Sequence, residues 1–388
     1  MKILHTSDWH VGKVLKGRDR HDEHAAVLGS VVSVAREHDV DLVLAAGDLF
    51  ESSAPNAKSQ GLVIRTLLAL REDGRQVVVI AGNHDNAALL DAVYRPVLGQ
   101  VGGVHVLGAP KAPEAGGTLA LTTRSGQGVR VAALPFVAKR YAVRAAEVIA
   151  HELAEHALDY SRRVTAMIDA LTGSFTPDTV NIVMSHVTLL GGRRGGGERD
   201  AQSSLDYELP ASVFPASAHY AALGHLHRQQ EIPAPCPAFY SGSPLAVDFG
   251  EEANEPVALL VTAAPGVRAD ARPVPVTGGR RLRTLRGTLE QVVAEGERDP
   301  QAWLRVILAE PARAGLGDLV RDKLPNALEV TLADEYRPKP GGTGKDRPSR
   351  IGRSPAELFA DYLREQRVDD PRLGVMFAEL IDEATGAS

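Results

Sequence analysis

The chain has 388 residues, 44% of them hydrophobic, with 43 Lys and Arg against 49 Asp and Glu and a formal net charge of −6. That length predicts two or three domains with a substantial core, and the charge argues against a protein that coats nucleic acid non-specifically while allowing local basic patches. No apolar run approaches the ~20 residues of a membrane helix, Met1 to Trp9 lacks a signal-peptide core, and the lone Cys236 excludes an intrachain disulfide and reads as a small buried hydrophobe, so a soluble, cytoplasmic protein with no membrane partner is expected.

In chain order, a first strand at Lys2 to Thr6 is followed by Ser7-Asp8-Trp9-His10, a basic segment with Lys13, Lys16, Arg18 and Arg20, and a helix from His24 to His38. A strand at Leu42 to Ala45 ends in Gly47-Asp48-Leu49-Phe50, and a helix around Leu62 to Leu70 leads to a strand at Val77 to Ala81 that ends in Gly82-Asn83-His84-Asp85. This β-α-β-α-β order, each strand closing on polar residues, predicts a layered α/β fold.

A helical segment is expected from Tyr141 to Leu171. Its His151-Glu-Leu-Ala-Glu-His156 resembles a zinc-protease helix only superficially, because histidines five apart are turned by roughly 140° from each other on a helix of 3.6 residues per turn. A strand at Asn181 to Met184 delivers Ser185-His186. The glycine-rich stretch Gly191 to Gly197 reads as a mobile loop or a basic flap. Another strand, Tyr220 to Leu223, delivers Gly224-His225-Leu226-His227, and Tyr240-Ser241-Gly242-Ser243-Pro244 is a turn before a closing strand at Val257 to Val261.

Ala264-Pro265-Gly266 marks an expected boundary. Beyond it, alternation and helical spacing predict a compact β-α-β-α-β unit from Arg283 to Leu332, then a basic Gly/Pro linker at residues 337–353 whose Gly344-Lys345 lacks the spacing of a P-loop. The tail, residues 354–388, holds two short helices; the first opens with the capping box Ser354-Pro355-Ala356-Glu357, and the second at Asp370-Pro371. Such a tail either folds back or offers apolar helices to a partner groove.

Collected, the strand ends supply Asp8, His10, Asp48, Asn83, His84, Asp85, His186, His225 and His227. A shared site explains five such motifs more economically than five independent turns. The ligand atoms are oxygen and nitrogen without thiolate, which suits manganese, iron or zinc. These are too many for one tetrahedral ion and suit two ions sharing a carboxylate, the arrangement used for in-line phosphoryl displacement.

These motifs, with Ser7-Asp8-Trp9-His10, Gly47-Asp48-Leu49-Phe50-Glu51, Gly82-Asn83-His84-Asp85, Met184-Ser185-His186 and Gly224-His225-Leu226-His227, resemble the calcineurin-like metallophosphoesterases. They are similar in particular to the branch of bacterial nuclease subunits that work with a coiled-coil ATPase. The resemblance implies a β-sandwich flanked by helices over residues 1–265, a small α/β capping domain at 272–336 that guides DNA, and a helical partner-binding tail. It implies two Mn2+ ions, one held by Asp8, His10, Asp48 and His227 and the other by Asp48, Asn83, His186 and His225. His84 would stabilise the transition state or protonate the leaving oxygen, with Asp85 orienting its ring.

The implied activity is manganese-dependent 3′ to 5′ exonuclease action on duplex ends and endonuclease action on hairpins and single strands, by a nucleoid-associated homodimer. Its tail would dock on the coiled-coil base of the ATPase. Arg280, Arg281, Arg283 and Arg286, with Lys13, Lys16, Arg18 and Arg20, are the candidate phosphate contacts. The rivals are a phosphoesterase acting on a small phosphodiester or a phosphoprotein, which would use the same metals, and a non-catalytic adaptor, which would tolerate missing ligands.

Overall fold

The apolar runs that form the first strands split by twos between two cores. Leu42, Leu44, Val78 and Ile80 share one buried cluster with residues of a second sheet, while Val43, Ala45, Val77 and Val79 share another with the flanking helices. Each run is apolar throughout because both faces of its sheet are covered. Truncating Ile80, fully buried between the sheets, to Ala costs about 2 to 5 kcal/mol.

The computed structural model describes residues 1–139, 141–142, 145, 160–198, 207–337, 359–360, 362–364, 370, 372–374 and 376–377. The chain divides into two units, Met1–Tyr336 and Arg337–Ser388. The principal elements of the first are β1 (Lys2–Thr6), α1 (His21–Glu37), β2 (Leu42–Ala45), α2 (Ala57–Arg71), β3 (Gln76–Ile80), β4 (Val104–Leu107), β5 (Thr118–Thr122), β6 (Gly128–Leu134), α3 (Tyr160–Thr172), β7 (Val180–His186), β8 (Tyr220–Gly224), β9 (Gln230–Ile232), β10 (Ala238–Tyr240), β11 (Val257–Ala264) and β12 (Val267–Pro275).

One six-stranded sheet has the order β12-β11-β1-β2-β3-β4, the other β9-β10-β8-β7-β6-β5. In the first, β1 to β4 run parallel, and β11 runs antiparallel to its two neighbours, β1 and β12. In the second, β10, β8, β7 and β6 run parallel, with β9 and β5 antiparallel at the edges. Helices α1 and α2 cover the first sheet and α3 the second, giving the expected sandwich flanked by helices. No helix among the described residues is long and apolar enough to cross a membrane.

Ala264-Pro265-Gly266, expected as a boundary, is the hairpin turn between β11 and β12, and Arg272 pairs with Leu260 inside the first sheet. A Pro-Gly turn signals a hairpin as readily as a linker, so the sheet extends to Pro275. Beyond it lie β13 (Leu282–Gly287), α4 (Leu289–Gly296), β14 (Trp303–Leu308), α5 (Leu316–Lys323) and β15 (Ala327–Leu332), three parallel strands around a core of Leu285, Leu304, Val306 and Val320. Thr288, just past β13, caps α4 through a capping box with Gln291. His151, His156, the linker after Arg337 and the capping box at Ser354 lie outside the described residues.

Candidate metal centre

Parallel pairing brings the carboxyl ends of β1, β2, β3, β7 and β8 to one edge of the sandwich. The loops leaving those ends are tied to each other: Asp8 N–H donates to Gly47 O at 2.9 Å and His10 N–H to Asp48 O at 3.0 Å. Asp8, His10, Asp48 and His225 all have positive φ, at 53°, 47°, 52° and 104°. Side chains in that region cost of order 1 kcal/mol or more each and persist where the surroundings fix them, a pattern concentrated at functional sites. Two glycines are required by close approach. A Cβ on Gly82 would lie 2.1 Å from Asp48 Oδ1, and one on Gly47, at φ +95°, 2.4 Å from His186 Nδ1.

The seven expected ligands all meet. Asp8, His10 and His227 form one buried group, and Asp48, His186 and His225 another, each with its ligand atoms within 4.8 Å of one another. Asp48 Oδ2 lies 3.7 Å from His10 Nε2 and 3.4 Å from His186 Nε2, so this carboxylate stands between the groups. Asn83 Oδ1 is 2.8 Å from His225 Nδ1 and 3.0 Å from His186 Nε2. His84 also falls within ligand reach of His10 and Asp48, its Nδ1 hydrogen-bonded to Glu51 O at 2.8 Å.

The second nitrogen of several rings is already committed. His10 Nδ1 donates to Glu51 Oε2 at 2.9 Å, His227 Nδ1 to Glu251 Oε1 at 2.6 Å and His186 Nδ1 to Ala46 O at 2.8 Å. Each therefore keeps its Nε2 for the centre. His10 Nε2 and His227 Nε2 then face each other at 3.0 Å, and two lone pairs so placed require a proton or a cation between them.

The electrostatics agree. Burial would make His227 less basic, but Glu251 and Asp8 outweigh it and raise its pKa to about 10. His186 reaches about 9 because Asp48 overcomes burial, while burial takes His10 down to about 4 and His225 to about 3. Burial pushes Asp8 up to about 6; Asp48, despite burial, stays well below the ordinary carboxylate range because His186 faces it. The centre thus gathers carboxylate, amide and imidazole donors, and without metal the protonated His227 and His186 balance the charges of Asp8 and Asp48. Oxygen and nitrogen ligands in two groups around one carboxylate fit two divalent metal ions.

Asp85 departs from its expected role. Its oxygens accept backbone N–H bonds from Gly82 at 2.9 Å, Phe50 at 3.0 Å and Leu49 at 3.2 Å, and the ring of His84 is held by Glu51 instead. Coming three residues after Gly82, the carboxylate folds back beneath its own turn. Sequence reasoning also missed Glu251 and Glu198. Glu198 accepts from the backbone N–H of Gly195 at 2.6 Å, of Gly196 at 2.8 Å and of His227 at 2.9 Å, so the glycine-rich loop, expected to be mobile, is fastened beside the centre. The only available signal was the glycine run, which permits packing as close as it permits motion.

The model of the calcineurin-like phosphoesterase family matches residues 1–229, and one described as the type 5 capsule protein repressor C-terminal domain matches 279–367. The chain is 36% identical over 320 residues to the SbcD subunit of nuclease SbcCD from Bacillus subtilis, covering 78% of each chain. It is 31% identical to the SbcD of Escherichia coli K12, over 79% of this chain and 77% of the relative, and 34% identical to that of Rhodobacter capsulatus, over 71% and 69%.

Proposed function

The chain belongs to the calcineurin-like phosphoesterase family, in the branch of the SbcD nucleases, and from that premise we propose that it is a manganese-dependent DNA nuclease working at two metal ions bridged by Asp48. The observation that carries this reading is the position of Asp48 between the histidines of both groups. Asp8, His10, Asp48 and His227 would hold one ion, and Asp48, Asn83, His186 and His225 the other. Bound there, two divalent ions supply a water activated for attack and neutralise charge developing on the phosphate. His84, whose Nδ1–H donates to Glu51 O, acts at Nε2 on the phosphate or the leaving oxygen.

The substrate is DNA: duplex ends cut 3′ to 5′, and hairpins and single strands cut internally. The partner is the ATPase SbcC, engaged through the tail at 354–388, in DNA repair, recombination and replication at the nucleoid. A homodimer is supported by Val93, Val97 and Val101, which are 47%, 56% and 43% exposed at helical spacing on one face.

The test is cleavage of end-labelled hairpin DNA with manganese, with and without SbcC. Manganese-dependent cutting that SbcC stimulates is expected; turnover of a small phosphodiester without hairpin cleavage would overturn the reading.

A further inference from the structure

The eight basic side chains expected to touch phosphate are not equivalent in the fold. Lys13 pairs with Glu51 at 2.9 Å, Lys16 with Glu329 at 3.1 Å, Arg283 with Glu295 at 2.7 Å and Arg286 with Glu335 at 2.8 Å. Arg20 is buried against Glu23 at 2.8 Å. Three are left exposed without a carboxylate partner among the described residues: Arg18, Arg280 and Arg281.

Two of these three share one platform. The guanidinium carbons of Arg18 and Arg280 lie 5.2 and 4.4 Å from the ring of Trp303. Arg18 follows β1 on the sandwich, whereas Trp303 opens β14 of the small α/β domain. The indole itself is fixed, donating from Nε1 to Glu23 Oε1 at 2.8 Å, and Glu23 Oε2 accepts the backbone N–H of Arg280 at 2.8 Å. Stacking occupies the flat face of a guanidinium and leaves its edge donors available. The result is two oriented cations whose guanidinium groups have no ion-pair partner among the described residues, on a chain whose net charge is −6, held where the small domain meets the sandwich.

We propose that Arg18 and Arg280, stacked on Trp303, form a clamp for the sugar-phosphate backbone of DNA at this junction. The proposal rests on the nuclease reading and adds to it which cations grip the substrate. Bidentate guanidinium donors suit phosphate oxygens, and a duplex presents them at regular spacing. The clamp also couples grip to the seating of the small domain, since both arginines lean on a side chain that this domain supplies.

The test is binding of a fluorescent hairpin oligonucleotide to the full chain in EDTA, so that no strand is cut, across a salt series. Losing two phosphate contacts should shallow the slope of log K against log salt by about 2 and weaken binding on the order of tenfold in Arg18→Ala/Arg280→Ala. Arg321→Ala, which removes an exposed arginine on α5 beside Asp318 and outside the candidate contacts, should bind as wild type does, and Trp303→Phe should fall between. If wild type binds and the double variant keeps its affinity and slope, the clamp is wrong and the nuclease reading survives. Loss of SbcC association without loss of DNA binding would assign the patch to a protein partner and likewise overturn it. If wild type neither binds nor cuts DNA, both readings fall.

Discussion

His10 and His227 point their Nε2 atoms at each other across 3.0 Å while each ring donates from Nδ1 to a glutamate, Glu51 and Glu251 respectively. In the metal-free chain a proton on His227, whose pKa stands at about 10, holds the pair together. On the proposed two-ion reading, a divalent ion would take that proton's place.

Metal loading should therefore release protons. His227 and His186, at about 10 and 9 without metal, are both charged at pH 7.5, so two ions should displace about two protons. Raised pKa values mean more competition at lower pH, and affinity should climb as pH rises, levelling only above about 9 to 10. Calorimetric manganese titration in buffers of different ionisation heat counts the protons. A heat independent of buffer would contradict this account.

Glu251→Ala should weaken one metal position and spare the other. Glu251 takes the Nδ1–H of His227 on one oxygen and the backbone N–H of Val247 at 2.8 Å on the other, so it fixes the ring proposed to ligate. Losing such support costs about 10- to 100-fold in affinity. Paramagnetic resonance of free manganese during titration should show one class of sites shifted, and two unshifted classes would remove Glu251 from this role.

Asp85→Ala should act on stability. Three backbone N–H groups lose their acceptor, and buried donors left unpaired cost about 1 to 3 kcal/mol each, so a loss of about 3 kcal/mol or more is expected in urea unfolding of the metal-free protein. Unchanged unfolding with slower cleavage would return Asp85 to the catalytic role read from the sequence.

His84→Ala should keep both ions and slow DNA cleavage by about 100- to 10,000-fold. Metal content measured on the purified variant separates the alternatives, because His84 also stands within ligand reach of His10 and Asp48. Loss of an ion would make it a ligand.

The sequence displayed the strands and their polar ends because uninterrupted β-branched runs have few other uses, and five endings of one chemistry pointed to one site. It could not display Glu251 or Glu198, since a single acid in a loop has no period and its partner is a ring distant in the chain. Gly191 to Gly197 looked mobile because composition records freedom, not contacts; Glu198 removes that freedom. Ala264-Pro265-Gly266 carried a turn signal whose meaning depended on whether the following strand paired, and it pairs with β11.

Crystals grown with manganese and measured at its absorption edge test the central claim most directly. Two anomalous peaks should flank the Asp48 carboxylate, one among Asp8, His10 and His227, the other among Asn83, His186 and His225. A single peak, or two that do not share Asp48, would contradict it.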